Sequence, residues 1–317
     1  MPRVSVIVPA YQEERHIEAC VRSIVAQEVD GGLEVLVADG RSTDRTRELA
    51  EKAGARVVDN AAGTIPSGLN AALAAAAGEI VVRFDAHAEM PPGYVHACVD
   101  ALTAEGAANV GGWREPRGTG PWGKALAAAL ASPFGVGNAR IWRRPPADAP
   151  AVEVETVPLG AFRADELRDA GGWREDLLAN EDFELNHRLR ERGGRVVFVP
   201  SIWSIYRPRE SLGEIARQYW RYGTWKAAML VDEPESLRPR QLAPVVLLGV
   251  AASAPFSRPA RGALAAYAAG LGVLAARSPA GWRLAPTLAT MHLAWSSGLV
   301  RGLAARALSG RFPSPSR

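Results

Sequence analysis

Two short strings concentrate the side chains able to do chemistry. Asp85-Ala86-His87 sits where an apolar, β-branched run, Ile80 to Phe84, gives way to Met90-Pro91-Pro92. Residues two apart on an extended chain share a face, so Asp85 and His87 are expected to converge. A carboxylate beside an imidazole suits Mn2+ or a similar divalent ion, whereas Mg2+ prefers oxygen. The same residues also serve as the polar lip of a capped strand. Glu181-Asp182 opens a helical pattern, where acids belong on dipole grounds alone. It equally suits a general base, which needs a carboxylate fixed within reach of a hydroxyl. Glu184 is expected to pair with Arg188 one turn further on.

Two loops could accompany these groups. Pro9-Ala10-Tyr11-Gln12-Glu13 follows the first strand pattern, and Ala38-Asp39-Gly40-Arg41-Ser42-Thr43-Asp44 follows the second. An aromatic ring can face a base, and a carboxylate can take an imide proton or a ribose hydroxyl. Each loop alone is ordinary turn and cap chemistry; at one sheet edge, together, they point to a nucleotide. Later, Gln218-Tyr219-Trp220-Arg221-Tyr222 lies close to Trp225 and Lys226. Aromatics beside cations suit a sugar diphosphate, and they suit a helix resting on a membrane equally well.

The elements that must position these residues alternate. Strands are expected at Val4–Val8, Leu33–Ala38, Val57–Val58 and Ile80–Phe84, with helices over 13–26, 44–53 and 67–77. That alternation implies a mainly parallel sheet with ligands at the carboxyl ends of its strands. Beyond residue 105, helices are expected near 124–131, over 181–192, and from Ser211 to about 230, where Ser211 and Glu214 have capping-box spacing. A strand is expected over 195–199. Gly-Gly-Trp-Arg-Glu occurs at 111–115 and 171–175 without a surrounding repeat, which reads as chance or as two similar turns.

The 317 residues carry a net charge of +3, which conceals an asymmetry. From Arg238 onward there are ten Arg and no Lys, Asp or Glu, leaving 27 basic against 34 acidic residues before it. That tail holds three uncharged apolar stretches, 242–257, 262–276 and 284–300, bracketed by Arg. At about 1.5 Å per residue each spans roughly 25 Å, somewhat short of a ~30 Å hydrocarbon core, though flanking Arg can snorkel. A buried Ala-rich bundle is the alternative; the lack of acids favours association with anionic lipid. The expected domains are therefore 1–237, divided into nucleotide-binding (1–105) and acceptor (106–237) halves, and a tail over 238–317. Cys20 and Cys98 lack metal-type spacing, and a reducing cytoplasmic compartment is expected. No signal peptide is expected from the short N-terminal apolar run, which Pro9 breaks.

In order, these motifs resemble the family 2 glycosyltransferases of the GT-A fold, over roughly Val4 to Leu230. The resemblance rests on Val6 to Glu13, Val37 to Asp44, Asp85-Ala86-His87 where that family has Asp-x-Asp, Gly171-Gly172-Trp173, and Asn180-Glu181-Asp182-Phe183-Glu184-Leu185. Leu159 to Arg163, Pro208 to Leu212, Arg217 to Lys226 and His292 to Trp295 are similar to the succinoglycan-type exopolysaccharide transferases of bacteria. The resemblance implies an α/β, Rossmann-like GT-A fold with a membrane-associated helical segment. It implies inverting, metal-dependent transfer from a nucleotide sugar, a UDP-hexose such as UDP-glucose, to a lipid-linked or polysaccharide-precursor hydroxyl at the cytoplasmic face of the inner membrane. Pro9, Ala10, Tyr11, Glu13, Asp39 and Asp85 would bind the donor. Asp85 and His87 would hold Mn2+, or Mg2+ less well. Asp182 would be the base, with Glu181 its neighbour in the acceptor cleft and Trp173 an acceptor platform. Gln218, Arg221 and Tyr222 are similar to the Gln-x-x-Arg-Trp motif of processive synthases, with Tyr in place of Trp, which argues against processive extrusion.

Other classes fit less well. A sugar nucleotidyltransferase needs a Gly-rich basic loop after the first strand, where Pro9 to Glu14 is acidic and lacks Gly. A dinucleotide oxidoreductase needs Gly-x-Gly-x-x-Gly after a strand. The tail Arg alternate with apolar runs, unlike a dense nucleic-acid patch. A non-catalytic sugar-binding scaffold at the membrane remains the alternative.

Overall fold

The computed structural model describes residues 2–137, 139–146, 148–177, 181–232, 237 and 239–309. Its strands are β1 (Val4–Ala10), β2 (Leu33–Asp39), β3 (Arg56–Asp59), β4 (Ile80–Arg83), β5 (Ala88–Glu89), β6 (Asn109–Pro116), β7 (Val152–Glu153), β8 (Ala161–Arg163) and β9 (Val196–Tyr206). The helices are α1 (Ile17–Val25), α2 (Thr46–Lys52), α3 (Ile65–Ala75), α4 (Tyr94–Glu105), α5 (Pro121–Ala131), α6 (Pro133–Val136), α7 (Ala164–Asp169), α8 (Glu181–Glu191), α9 (Leu212–Asp232), α10 (Leu242–Ser253), α11 (Arg258–Ala276) and α12 (Leu284–Ser309). Asn180, part of the expected Asn-Glu-Asp string, lies outside the described residues, as do 310–317.

The chain forms two compact units. Met1–Glu115 and Arg140–Tyr206 make the first; Pro116–Ala139 and Arg207–Arg317 make the second. Neither expected boundary, 105/106 or 237/238, coincides with this division. Residues 116–139 and α9 group with the tail helices instead.

In the first unit one mixed sheet runs β3-β2-β1-β4-β8-β6-β9-β5, with β7 paired to β9. The β3-β2-β1-β4 half is parallel, and β8 joins β4 antiparallel. Period-two alternation sorts the side chains of the parallel half onto two apolar faces. Val4, Val6, Val8, Val35, Val37 and Val82 pack with Ile17, Cys20 and Ile24 of α1. Ile7, Leu36, Ala38 and Val81 pack with Leu69 of α3, Trp173 and Leu185 of α8. Ala10 stands opposite Asp39 in the β1–β2 register, so both loops leave the same sheet edge.

The second unit is helical. Ser211 and Glu214 make half of the expected capping box: Glu214 N donates to Ser211 Oγ at 3.3 Å, while Glu214 Oε2 accepts from Glu210 N at 3.2 Å. Just before it, the Glu210 carboxylate accepts from Thr119 N and Oγ1, Gly120 N and Gly123 N at 2.8–3.1 Å, fastening the start of α5. α9 lies against α12 because glycines let the backbones approach: a Cβ on Gly223 would strike the Trp295 carbonyl, and one on Gly298 the Trp220 carbonyl. This packing explains why α9 belongs with the tail. His292, from the His-Leu-x-Trp string, pairs with Tyr267 of α11 at 2.8 Å and the Phe134 carbonyl of α6 at 2.7 Å. Among the described residues no helix is long and apolar enough to cross a membrane. α10 buries none of its residues, and Phe256, in the turn before α11, is 92% exposed.

Candidate active site

The edge beyond β1 and β2 is stitched together by Gln12. Its Oε1 accepts from Thr43 N and Asp44 N, each at 3.2 Å, and its Nε2 donates to Thr43 Oγ1 at 2.9 Å. Gln12 and Arg41 both adopt positive φ, 56° and 64°, a costly conformation for residues other than Gly that recurs at ligand-binding turns. Asp39 is buried and accepts from Ser42 N, while Tyr11, the residue after Asp39's register partner Ala10, is 42% exposed. Pro9 and Ala10 complete the end of β1. The two loops expected to face a nucleotide are thus joined to each other at one sheet edge.

Asp85-Ala86-His87 differs from expectation. β4 ends at Arg83, and Ala88 N donates to the Asp85 carbonyl at 3.0 Å, so 85–88 form a turn in which strand alternation no longer applies. Asp85 instead faces two cations. Arg114 Nη2 donates to its Oδ2 at 2.9 Å, and Arg83 Nη2 lies 3.6 Å from its Oδ1. Burial pushes the Asp85 carboxyl up, but Arg114, Arg83 and His87 outweigh it and hold it at about 2. His87 turns to Glu13, with Nδ1 3.4 Å from Oε1, and its ring meets Tyr206 edge-on. Asp85 and His87 are electrostatically coupled neighbours with separate partners.

At the head of α8 the two acids divide. Asp182 is partly exposed; Trp173 Nε1 donates to its Oδ1 at 3.3 Å, and Arg83 Nη1 pairs with its Oδ2. Glu181 is buried, with Arg83 Nη2 at 3.0 Å, so the acceptor-facing neighbour expected here is instead a buried counter-ion. Trp173 is also corrected. At 1% exposure, with its ring edge-on to Phe162, it has no face to offer an acceptor; its indole N–H donates to Asp182 instead. Glu184 and Arg188 pair as expected, at 2.7 Å.

Two residues absent from the expected site dominate its electrostatics. Arg83 carries a charge into the otherwise apolar run of β4, a local inconsistency that was legible. Arg114 belongs to the first Gly-Gly-Trp-Arg-Glu copy. Its guanidinium lies over the Tyr206 ring at 4.6 Å and the Trp142 ring at 5.6 Å. The two copies are not similar turns: 111–115 is strand in β6, whereas Gly171 and Gly172 turn with φ of 83° and 64°.

Gln218, Arg221 and Tyr222 lie on α9 in the second unit. Gln218 Nε2 donates to the Tyr222 hydroxyl at 3.0 Å, and Arg221 and Tyr222 are exposed. No cluster of three or more His, Cys, Asp or Glu suited to a metal occurs among the described residues. Asp85 and His87 still supply an ionised oxygen and a nitrogen, a donor pair compatible with Mn2+ if a bound diphosphate and water complete its shell.

Comparison with known proteins gives a consistent setting. Residues 5–149 match the family described as glycosyl transferase family 2. The chain is 30% identical over 315 residues to the succinoglycan biosynthesis protein ExoA of Rhizobium meliloti (strain 1021), covering 94% of each. Among solved structures it is similar to the mannosyltransferase PcManGT of Pyrobaculum calidifontis, crystallised with GDP-Man and Mn2+. The TM-score is 0.66 at 24% identity, over 95% of this chain and 87% of that one. It is also similar to residues 1–349 of S. aureus TarS in complex with UDP-GlcNAc, with a TM-score of 0.51 at 18% identity, covering 94% and 90%. The mixed sheet, with its parallel half ending in the two stitched loops, is the Rossmann-like GT-A fold. The chain belongs to glycosyl transferase family 2.

Proposed function

We propose that this glycosyltransferase inverts configuration as it moves a sugar from a nucleotide-diphosphate donor, a UDP-hexose such as UDP-glucose, to a hydroxyl of a lipid-linked or polysaccharide-precursor saccharide. One observation carries the reading: Asp182, at the head of α8, has its two carboxylate oxygens engaged by different partners, a hydrogen bond from Trp173 at one and the paired Arg83 guanidinium at the other. A base held this way is oriented before the acceptor arrives. The relative's part in succinoglycan biosynthesis supports an exopolysaccharide precursor as acceptor.

In the reaction Asp182 takes the proton of the acceptor hydroxyl while that oxygen bonds to the anomeric carbon. The bond from that carbon to the diphosphate oxygen breaks on the opposite face, and the nucleoside diphosphate leaves. One enzymic base suffices, unlike hydrolysis by an acid and base pair. Tyr11 offers its exposed ring to the base, and Asp39 accepts from the base or ribose. Pro9, Ala10 and Glu13 line the same edge. A divalent ion, Mn2+ before Mg2+, would be held by Asp85 and His87 and supply positive charge to the departing diphosphate. The Arg-rich helices of the second unit, with their exposed apolar side chains, rest on anionic lipid at the cytoplasmic face of the bacterial inner membrane.

The test is nucleotide release from a panel of UDP-, GDP- and other nucleotide sugars, with and without Mn2+ or Mg2+ and with a lipid-linked saccharide acceptor. Acceptor-stimulated release from a UDP-hexose is expected. Release from none of them, under any metal condition, would overturn the reading.

A further inference from the structure

We propose that Arg83 is a positioning residue for transfer. Its buried guanidinium joins the donor-side carboxylate Asp85 to the base Asp182 and holds Asp182 in the orientation that meets the acceptor. This rests on the glycosyltransferase reading above, because Asp182 is taken as the base.

The geometry is specific. Arg83 is 6% exposed and ends β4, a strand paired on one side to β1 and on the other to β8. Its own N–H donates to the Gly160 carbonyl at 2.9 Å, so the root of the side chain is fixed within the sheet. From there one guanidinium serves three carboxylates. Nη2 lies 3.0 Å from Glu181 Oε1 and 3.6 Å from Asp85 Oδ1, and Nη1 pairs with Asp182 Oδ2. Three acids gathered this closely repel one another, and a planar cation with a rigid fork can face all of them at once. An ammonium is a point charge on a flexible stem and cannot reproduce that arrangement. Arg114 balances Asp85 from the other side, leaving Arg83 as the link between the donor carboxylate and α8.

The partners also divide the work on Asp182. Trp173 fixes Oδ1, and its indole is locked by burial against Phe162. Arg83 fixes Oδ2. With both held, rotation of the carboxylate is restricted and its remaining lone pairs are aimed. Loss of Arg83 would free that rotation while leaving Tyr11 and Asp39, at the nucleotide edge, untouched.

The experiment uses the full-length protein with Arg83→Gln, Arg83→Lys, Asp182→Asn and the Arg83→Gln/Asp182→Asn pair. Expected for Arg83→Gln is a loss of about 100-fold in kcat with donor KM changed by less than about threefold, the pattern of lost positioning. Arg83→Lys is expected to recover at most about tenfold of that loss, because charge returns without the fork. In thermal unfolding, the double variant is expected to melt above Arg83→Gln alone. Removing the Asp182 charge relieves acids left without their cation. The inference is overturned if kcat of Arg83→Gln stays within about threefold of the parent, if the loss lies wholly in KM, or if the melting shifts simply add. The melting comparison needs no substrate. A parent inert toward every donor would therefore refute the glycosyltransferase reading, while the unfolding data still decide whether Arg83 bridges these acids.

Discussion

Arg114 and Asp85 meet through one hydrogen bond, Nη2 to Oδ2 at 2.9 Å, between a guanidinium lying over the Tyr206 ring and a carboxylate in the turn after β4. Burial pushes the Asp85 carboxyl up, and the charges of Arg114, Arg83 and His87 together with this bond outweigh it. The bond also places fixed positive charge beside the residues assigned to the donor.

The first consequence is a pH dependence. The Asp85 carboxyl sits at about 2, below its ordinary 3.8. A depressed folded-state value contributes stability that is complete above the ordinary value and is lost as pH falls through about 2. Arg114→Gln removes the larger of the two arginine contributions, so acid unfolding should begin at a higher pH than in the parent. Denaturant midpoints from pH 7 down to about 2.5 measure it; coincident curves would contradict the pairing.

Asp182→Asn removes the base without changing its shape. Transfer should fall by about 100-fold or more while nucleotide affinity, measured by calorimetry, stays within about threefold. Unchanged turnover would refute the assignment.

Trp173→Phe keeps a ring in the core but deletes the N–H that reaches Asp182 Oδ1. A loss of about tenfold in kcat is expected, with a stability cost of about 1 to 2 kcal/mol. If Trp173 were an acceptor platform instead, acceptor KM would rise with kcat preserved.

His87 tests the metal assignment. With an imidazole donor the protein should be more active with Mn2+ than with Mg2+, and His87→Asp should shift that preference toward Mg2+. Equal activity with both ions, unchanged in the variant, would remove His87 from the ligand set and leave it as the partner of Glu13.

Glu210→Gln is expected to loosen the second unit. Burial pushes the Glu210 carboxyl up, but hydrogen bonds from Thr119, Gly120 and Gly123 outweigh it and hold it below the usual range. Its contribution is therefore present at neutral pH and fades as pH falls through the carboxylate range. Glutamine can accept at one oxygen only, so a loss of about 1 to 3 kcal/mol at pH 7 is expected, narrowing in acid. A variant as stable as the parent at pH 7 would show that the fastening contributes nothing.

Much of the fold was legible because its signals are local. β-branched runs alternating with amphipathic stretches announce parallel β/α units, and the four residues 211–214 announce a helix cap. The paired loops after β1 and β2 followed from the same topology, since parallel neighbours end at one edge. Glu184 and Arg188 needed only the pitch of a helix.

What the amino-acid order alone determined is thus the α/β alternation, the two loops that share the β1–β2 edge, the acids at the head of α8, and the family to which these motifs point. The tertiary structure decided which side chains meet. Arg83 and Glu181 are 98 positions apart, and Arg114 reaches Asp85 across 29. Gly-Gly-Trp-Arg-Glu is a strand once and a turn once, according to what packs around it. Trp173 exchanged an expected binding face for burial because α3, β8 and α8 enclose it. Local pattern depends on periodicity, which any short window contains. Partnership between distant charges depends on which strands lie side by side, and only the folded sheet supplies that.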